Sequence, residues 1–147
     1  MNFIMLTRFN NETWQENKLW RERNEFNGCL YNTPIYIKED IPILETLFVI
    51  EMNNETNKIL GFGRINNRVH VDKKYNIHKD RNYNRHTYKG KLRIDMNHIS
   101  NPTLIEKFEK LEDRLFRSKS HFKRGHGLQQ LSPDLTSEYF KIISDLF

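Results

Sequence analysis

Residues 44–52 and 58–65 are two runs rich in β-branched and aromatic side chains, and the stretch between them is Asn53-Asn54-Glu55-Thr56-Asn57. Asparagine tolerates the left-handed backbone that tight turns need, so the segment reads as an antiparallel hairpin. A strong local hairpin limits the rest of the chain: with helices on either side of it in sequence, an α+β arrangement follows more naturally than alternating βαβ units. The apolar opening, residues 3–9, reads as a first strand. Asn10 or Asn11 then offers an N-cap to a helix over residues 12–23, where Trp14, Leu19 and Trp20 recur at helical spacing. Ile35, Tyr36 and Ile37 suggest a short strand between Asn32-Thr33-Pro34 and Asp40-Ile41-Pro42.

Beyond the hairpin, residues 69–71 and 88–96 are expected strands separated by a polar loop. Asn101-Pro102 then marks the start of a helix whose apolar face is Leu104, Ile105, Phe108, Leu111, Leu115 and Phe116. Residues 135–147 are expected to close the chain as another helix, with Tyr139, Phe140, Ile143 and Phe147 on one side. At 147 residues the chain has the size of one domain, and residues 1–147 are read as such. The expectation is an α+β fold: a small curved or barrel-like, mainly antiparallel sheet with flanking helices.

Charge is unevenly spread. Between residues 64 and 93, Arg64, Arg68, Lys73, Lys74, Lys79, Arg81, Arg85, Lys89, Lys91 and Arg93 face only Asp72 and Asp80, within a net charge of +5. In Arg81-Asn82-Tyr83-Asn84-Arg85-His86-Thr87-Tyr88 cations alternate with groups that pair with base edges or stack on unpaired bases. A second basic loop, residues 118–127, carries Lys119, Lys123 and Arg124 before Gly125 and Gly127, whose backbone amides can approach an anion. The candidate nucleic-acid contacts are therefore Arg81, Tyr83, Arg85, Tyr88, Lys89, Lys123 and Arg124. Trp14, Trp20 and Phe62 are candidate walls of a base pocket. The plain alternatives are a solvated loop whose tyrosines cover the core, glycines that only serve turns, and core aromatics.

The single cysteine, Cys29, excludes a disulfide framework within the chain and suits a reducing, intracellular compartment, cytoplasm or nucleus. The apolar start ends at Arg8 and Asn10, too early for a signal-peptide core, and no stretch approaches the ~20 apolar residues of a spanning helix. The six histidines lack any motif spacing for a metal, and no nucleophile motif is present, so neither a catalytic residue, a metal nor a cofactor is expected. Alanine is absent while Asn, Ile and Lys abound, a bias that suits an AT-rich genome such as those of large DNA viruses, in which case the protein would work inside the host cell.

Two resemblances bear on function. The order of strand, tryptophan-bearing helix, strands, hairpin ending Lys58-Ile59-Leu60-Gly61-Phe62-Gly63-Arg64-Ile65, basic loop and further strand resembles the PUA-like superfamily, above all EVE and YTH-type domains. The resemblance covers residues 3–116 and implies a small barrel that binds RNA or a modified nucleobase, with its pocket near Trp14, Trp20 or Phe62. Phe122-Lys123-Arg124-Gly125-His126-Gly127 resembles the phosphate loop of GNAT acetyltransferases, which would imply acyl transfer from acetyl-coenzyme A. Ser132-Pro133 follows too soon for the long helix that loop opens, and Phe122 stands where the loop begins with Gln or Arg. The reading is thus a non-enzymatic module that binds RNA or single-stranded DNA. Coenzyme A chemistry and a structural or host-interaction role remain as alternatives, and oligomeric state is left open.

Overall fold

The computed structural model describes residues 2–147. A five-stranded mixed sheet has the spatial order β6-β4-β3-β1-β7, formed by β1 (Ile4–Phe9), β3 (Thr46–Asn53), β4 (Lys58–Asn66), β6 (Leu92–Asp95) and β7 (Gln129–Gln130). β1 runs parallel to β3, and the other neighbours are antiparallel. A separate ribbon pairs β2 (Cys29–Thr33) with β5 (His86–Gly90). Three helices complete the fold: α1 (Asn11–Arg23), α2 (Pro102–Glu112) and α3 (Pro133–Ser144). The α+β class and the mainly antiparallel pairing agree with the sequence, but the sheet is open rather than a closed barrel.

Both faces of that sheet are covered, which is why β3 is buried along nearly its whole length instead of alternating. One face carries Ile4, Leu6, Phe48, Ile50, Met52 and Phe62, packed against Phe108, Leu111 and Leu115 of the α2 side and Tyr139 and Ile143 of α3. The other face carries Met5, Leu47, Val49 and Ile65, under the ribbon residues Cys29, Tyr31 and Tyr88. The ribbon crosses β4 at Gly63, where any Cβ would run into the Tyr31 hydroxyl and come within 2.8 Å of Cys29 Sγ. A glycine is required there by contact, not by its φ.

The hairpin forms as expected, with Leu60 as an extra residue where the register slips near Glu51 and Met52. Asn10 caps α1 reciprocally with Thr13. Three local expectations change. Residues 35–37 are not a strand; Ile35 and Tyr36 are exposed, and the strand lies earlier, at Cys29–Thr33, where the side chains are buried. Residues 69–71 are irregular, tied to β5 by His70 N–H to Thr87 O at 2.8 Å. The expected strand over residues 88–96 breaks at Lys91, because the chain leaves the ribbon and joins the edge of the main sheet.

Candidate nucleic-acid interface

The polar loop over residues 72–84 has too few apolar side chains to pack by burial alone, and two asparagines supply its order. Asn84 Oδ1 accepts from Ile77 N at 3.2 Å, His78 N at 3.0 Å and Asn32 Nδ2 at 3.0 Å, while Asn84 Nδ2 donates to His78 O at 2.7 Å. Asn32 Nδ2 also donates to Tyr75 O at 2.9 Å, which anchors the loop to β2. His78 is buried, with its Nδ1 2.8 Å from Glu16 Oε1 of α1. Asp80 caps a short 3-10 turn, Arg81–Asn84, and that turn fixes where Tyr83 stands.

The second basic loop is pinned from the opposite side. Arg8 Nε donates to Phe122 O at 2.6 Å, and Asn54 Nδ2, in the hairpin turn, donates to Lys123 O at 2.7 Å. Gly125 and Gly127 both have positive φ, which lets the loop fold back toward β7. Far apart in sequence, the two loops face each other across one cleft of about 230 Å³, to which Tyr83, Lys123, Arg8, Asn32, His78 and the backbone at Gly125 contribute. It opens beyond the carboxyl end of β1, next to the start of α1.

Its electrostatics are one-sided. No carboxylate lines the cleft, whereas Arg8 and Lys123 do, with His78 and His126. Arg8 is half-buried, its Nη1 has no hydrogen-bond partner, and it makes no ion pair among the described residues. Burial pulls its pKa below the ordinary value, the signature of a cation removed from water without an anion to compensate. The first turn of α1 adds little, because Glu55 already meets Asn11 there, at 3.2 Å to the backbone and 3.0 Å to the side chain.

Of the residues singled out from sequence, Tyr83 and Lys123 meet in this cleft; Arg81, Arg85 and Arg124 are exposed on the same two loops beside it. Lys89 lies elsewhere, in a groove beside β4 and β6, with its Nζ 3.0 Å from Tyr75 Oη. Tyr88 is only 2% exposed, and its hydroxyl accepts from Ile37 N at 3.0 Å, so it offers no face for a base to stack on. Phe62 is fully buried against Phe108, ring centroids 4.7 Å apart, on the helix-covered face. Trp20 packs with Phe26 and Tyr75, at 6.0 and 5.7 Å between centroids. The three aromatics proposed for one base pocket are therefore not brought together.

Trp14 lines a different and wider cleft, of about 1130 Å³. Its ring is engaged by Arg21 and Arg93, whose guanidinium carbons lie 5.0 and 5.1 Å from the centroid. Glu22, Glu25, Asp95, Glu109 and Glu112 share that cleft with Lys18, Arg21, Lys58 and Arg93, a balance that does not favour a polyanion. Beneath it is a buried network: Tyr31 Oη donates to Glu51 Oε2 at 2.6 Å, and Arg93 grips the same carboxylate, Nη2 to Oε1 at 2.6 Å and Nε to Oε2 at 3.0 Å. Burial alone would lower the pKa of Arg93, but Glu51 beside it raises it above the ordinary value.

Arg8, Asn32 and His78 were not among the nucleic-acid contacts expected from the sequence. The one legible signal was Arg8 itself, a charge at the end of an otherwise apolar run that folding draws partly out of water. Among the described residues no group of three or more His, Cys, Asp or Glu side chains is placed to hold a metal ion, and no helix is long and apolar enough to cross a membrane. Comparison with protein-family models, with curated proteins and with solved structures finds no match to this chain.

Proposed function

We propose that the chain is a non-enzymatic module that binds RNA or single-stranded DNA, in preference to duplex DNA, across the cleft between its two basic loops. The observation that carries this reading is the uncompensated Arg8 guanidinium in a cleft without a carboxylate, reached by Lys123 and Tyr83. A phosphate beside Arg8 and Lys123 supplies the counter-charge that the half-buried Arg8 guanidinium lacks; the strand then continues over Arg81, Arg85 and Arg124, and Tyr83, 38% exposed, presents a ring to an unpaired base. A narrow cleft with one exposed ring suits a single strand with a splayed base better than a rigid duplex. Kinship with PUA-like domains is proposed on element order alone, β1, tryptophan-bearing α1, β2, hairpin, basic loop and β5; the open sheet departs from the barrel that kinship implies.

The test is binding of labelled single-stranded RNA, single-stranded DNA and duplex DNA at two salt concentrations, with heparin as competitor. Single strands are expected to bind in a salt-dependent way and to resist heparin. Replacing Arg81 and Arg85 together by Gln is expected to remove two phosphate contacts and flatten the log–log salt slope by about 1.4. Lys123→Gln is expected to weaken all sequences alike. Unchanged affinity in both variants would overturn the site assignment, and indiscriminate binding abolished by heparin would reduce the charge to a surface property.

A further inference from the structure

A groove of about 490 Å³ lies beside β4, β5 and β6, separate from the cationic cleft. Its accessible floor is aliphatic: Leu44, 58% exposed, and Leu92, 45% exposed, over the buried Ile65. Its rim is cationic. Arg64, Arg68 and Lys91 are exposed there and make no ion pair among the described residues, and no carboxylate lines the groove.

Leu44 is the informative residue. Its φ is +69°, in the left-handed region that Asn or Gly occupies at lower cost, and it is not a turn that needed leucine. Its N–H donates to Asn67 O at 3.0 Å, and Asn67 Nδ2 in turn holds Ile41 O at 3.0 Å and Pro42 O at 3.1 Å, so the backbone is braced by groups other than the leucine side chain. A large apolar side chain is thus held out to solvent on a strained backbone where it adds little to the core. Strain of this kind motivates a functional hypothesis.

We propose that this groove docks an acidic amphipathic segment of a partner protein, its leucine-type side chains on Leu44 and Leu92 and its carboxylates against Arg64, Arg68 and Lys91. Charge complementarity selects an acidic partner. The floor selects protein over nucleic acid: bases stack on aromatic rings, and the two rings that line the groove, Phe26 and His70, are both half-buried, Phe26 with Lys89 Nζ already 5.5 Å from its centroid. The proposal is independent of the nucleic-acid reading.

The probe is a short labelled peptide of glutamates with leucines spaced along one helical face, followed by fluorescence anisotropy, with a second peptide in which serine replaces every leucine. The full chain is expected to bind the leucine peptide with salt-dependent affinity, and the serine peptide at least about tenfold more weakly. Leu44→Asn is expected to weaken leucine-peptide binding by about tenfold or more while leaving the melting temperature unchanged or higher, since asparagine suits the positive φ. Arg64→Gln with Arg68→Gln is expected to weaken both peptides. Equal binding of the two peptides, no binding of either, or full affinity in Leu44→Asn would each overturn the proposal. So would a Leu44→Asn protein that loses single-stranded RNA binding in parallel, because the groove would then belong to the nucleic-acid surface.

Discussion

Replacing Arg93 by Met should be among the most damaging single changes in the molecule. The Arg93 side chain is 7% exposed and the Glu51 side chain 1%, with three guanidinium-to-carboxylate contacts between 2.6 and 3.1 Å. Arg93→Met leaves the Glu51 carboxylate buried with only the Tyr31 hydroxyl donating to it. Removing one member of such a pair costs about 3–5 kcal/mol, because the remaining charge is stranded rather than because the pair itself was worth that much. With a urea m-value of about 2 kcal/mol/M, the unfolding midpoint should fall by about 2 M. Glu51→Gln should cost somewhat less, since Arg93 keeps Asp95 Oδ2 at 3.1 Å. The double variant strands no charge, so its cost should undercut the sum of the single costs by about 2 kcal/mol. Urea denaturation of the four proteins measures this directly. An Arg93→Met cost below about 1 kcal/mol, or additivity within about 0.5 kcal/mol, would refute the reasoning.

Gly63→Ala places a methyl against the Tyr31 hydroxyl and Cys29 Sγ, so denaturation should show a loss of about 1–3 kcal/mol, as for an overpacked core. Cys29 is fully buried, and burial followed by the nearby Glu51 charge pushes its thiol up to about 12. It should therefore resist iodoacetamide at pH 8 in the folded protein and react only after denaturation, as mass spectrometry would show. Asn84→Ala removes four hydrogen bonds that order residues 72–84. Limited proteolysis should then cut within that loop, with single-strand binding weakened through misplacement of Tyr83 while the melting temperature falls only modestly.

The hairpin, the first strand, the capped α1 and the amphipathic α2 were legible in the sequence because each is specified locally, by turn chemistry, a capping side chain or a 3.6-residue apolar period. So was the one-sided charge of residues 64–93, which is a property of composition. What the sequence could not order was the meeting of distant segments. The strand at Cys29–Thr33 was missed because its pattern means little until Gly63 opens room for it against β4. The break at Lys91 was missed because leaving one sheet for another leaves no local mark. Tyr88 and Phe62 could each be read as a contact or as core, and burial decided for core. Tyr83 and Lys123 were legible as cations and rings suited to a nucleic acid, yet only folding placed them in one cleft and added Arg8. Local structure depends on neighbours in the chain, whereas an uncompensated charge in a cleft depends on which water-excluding surfaces close around it. That is a property of the tertiary fold alone.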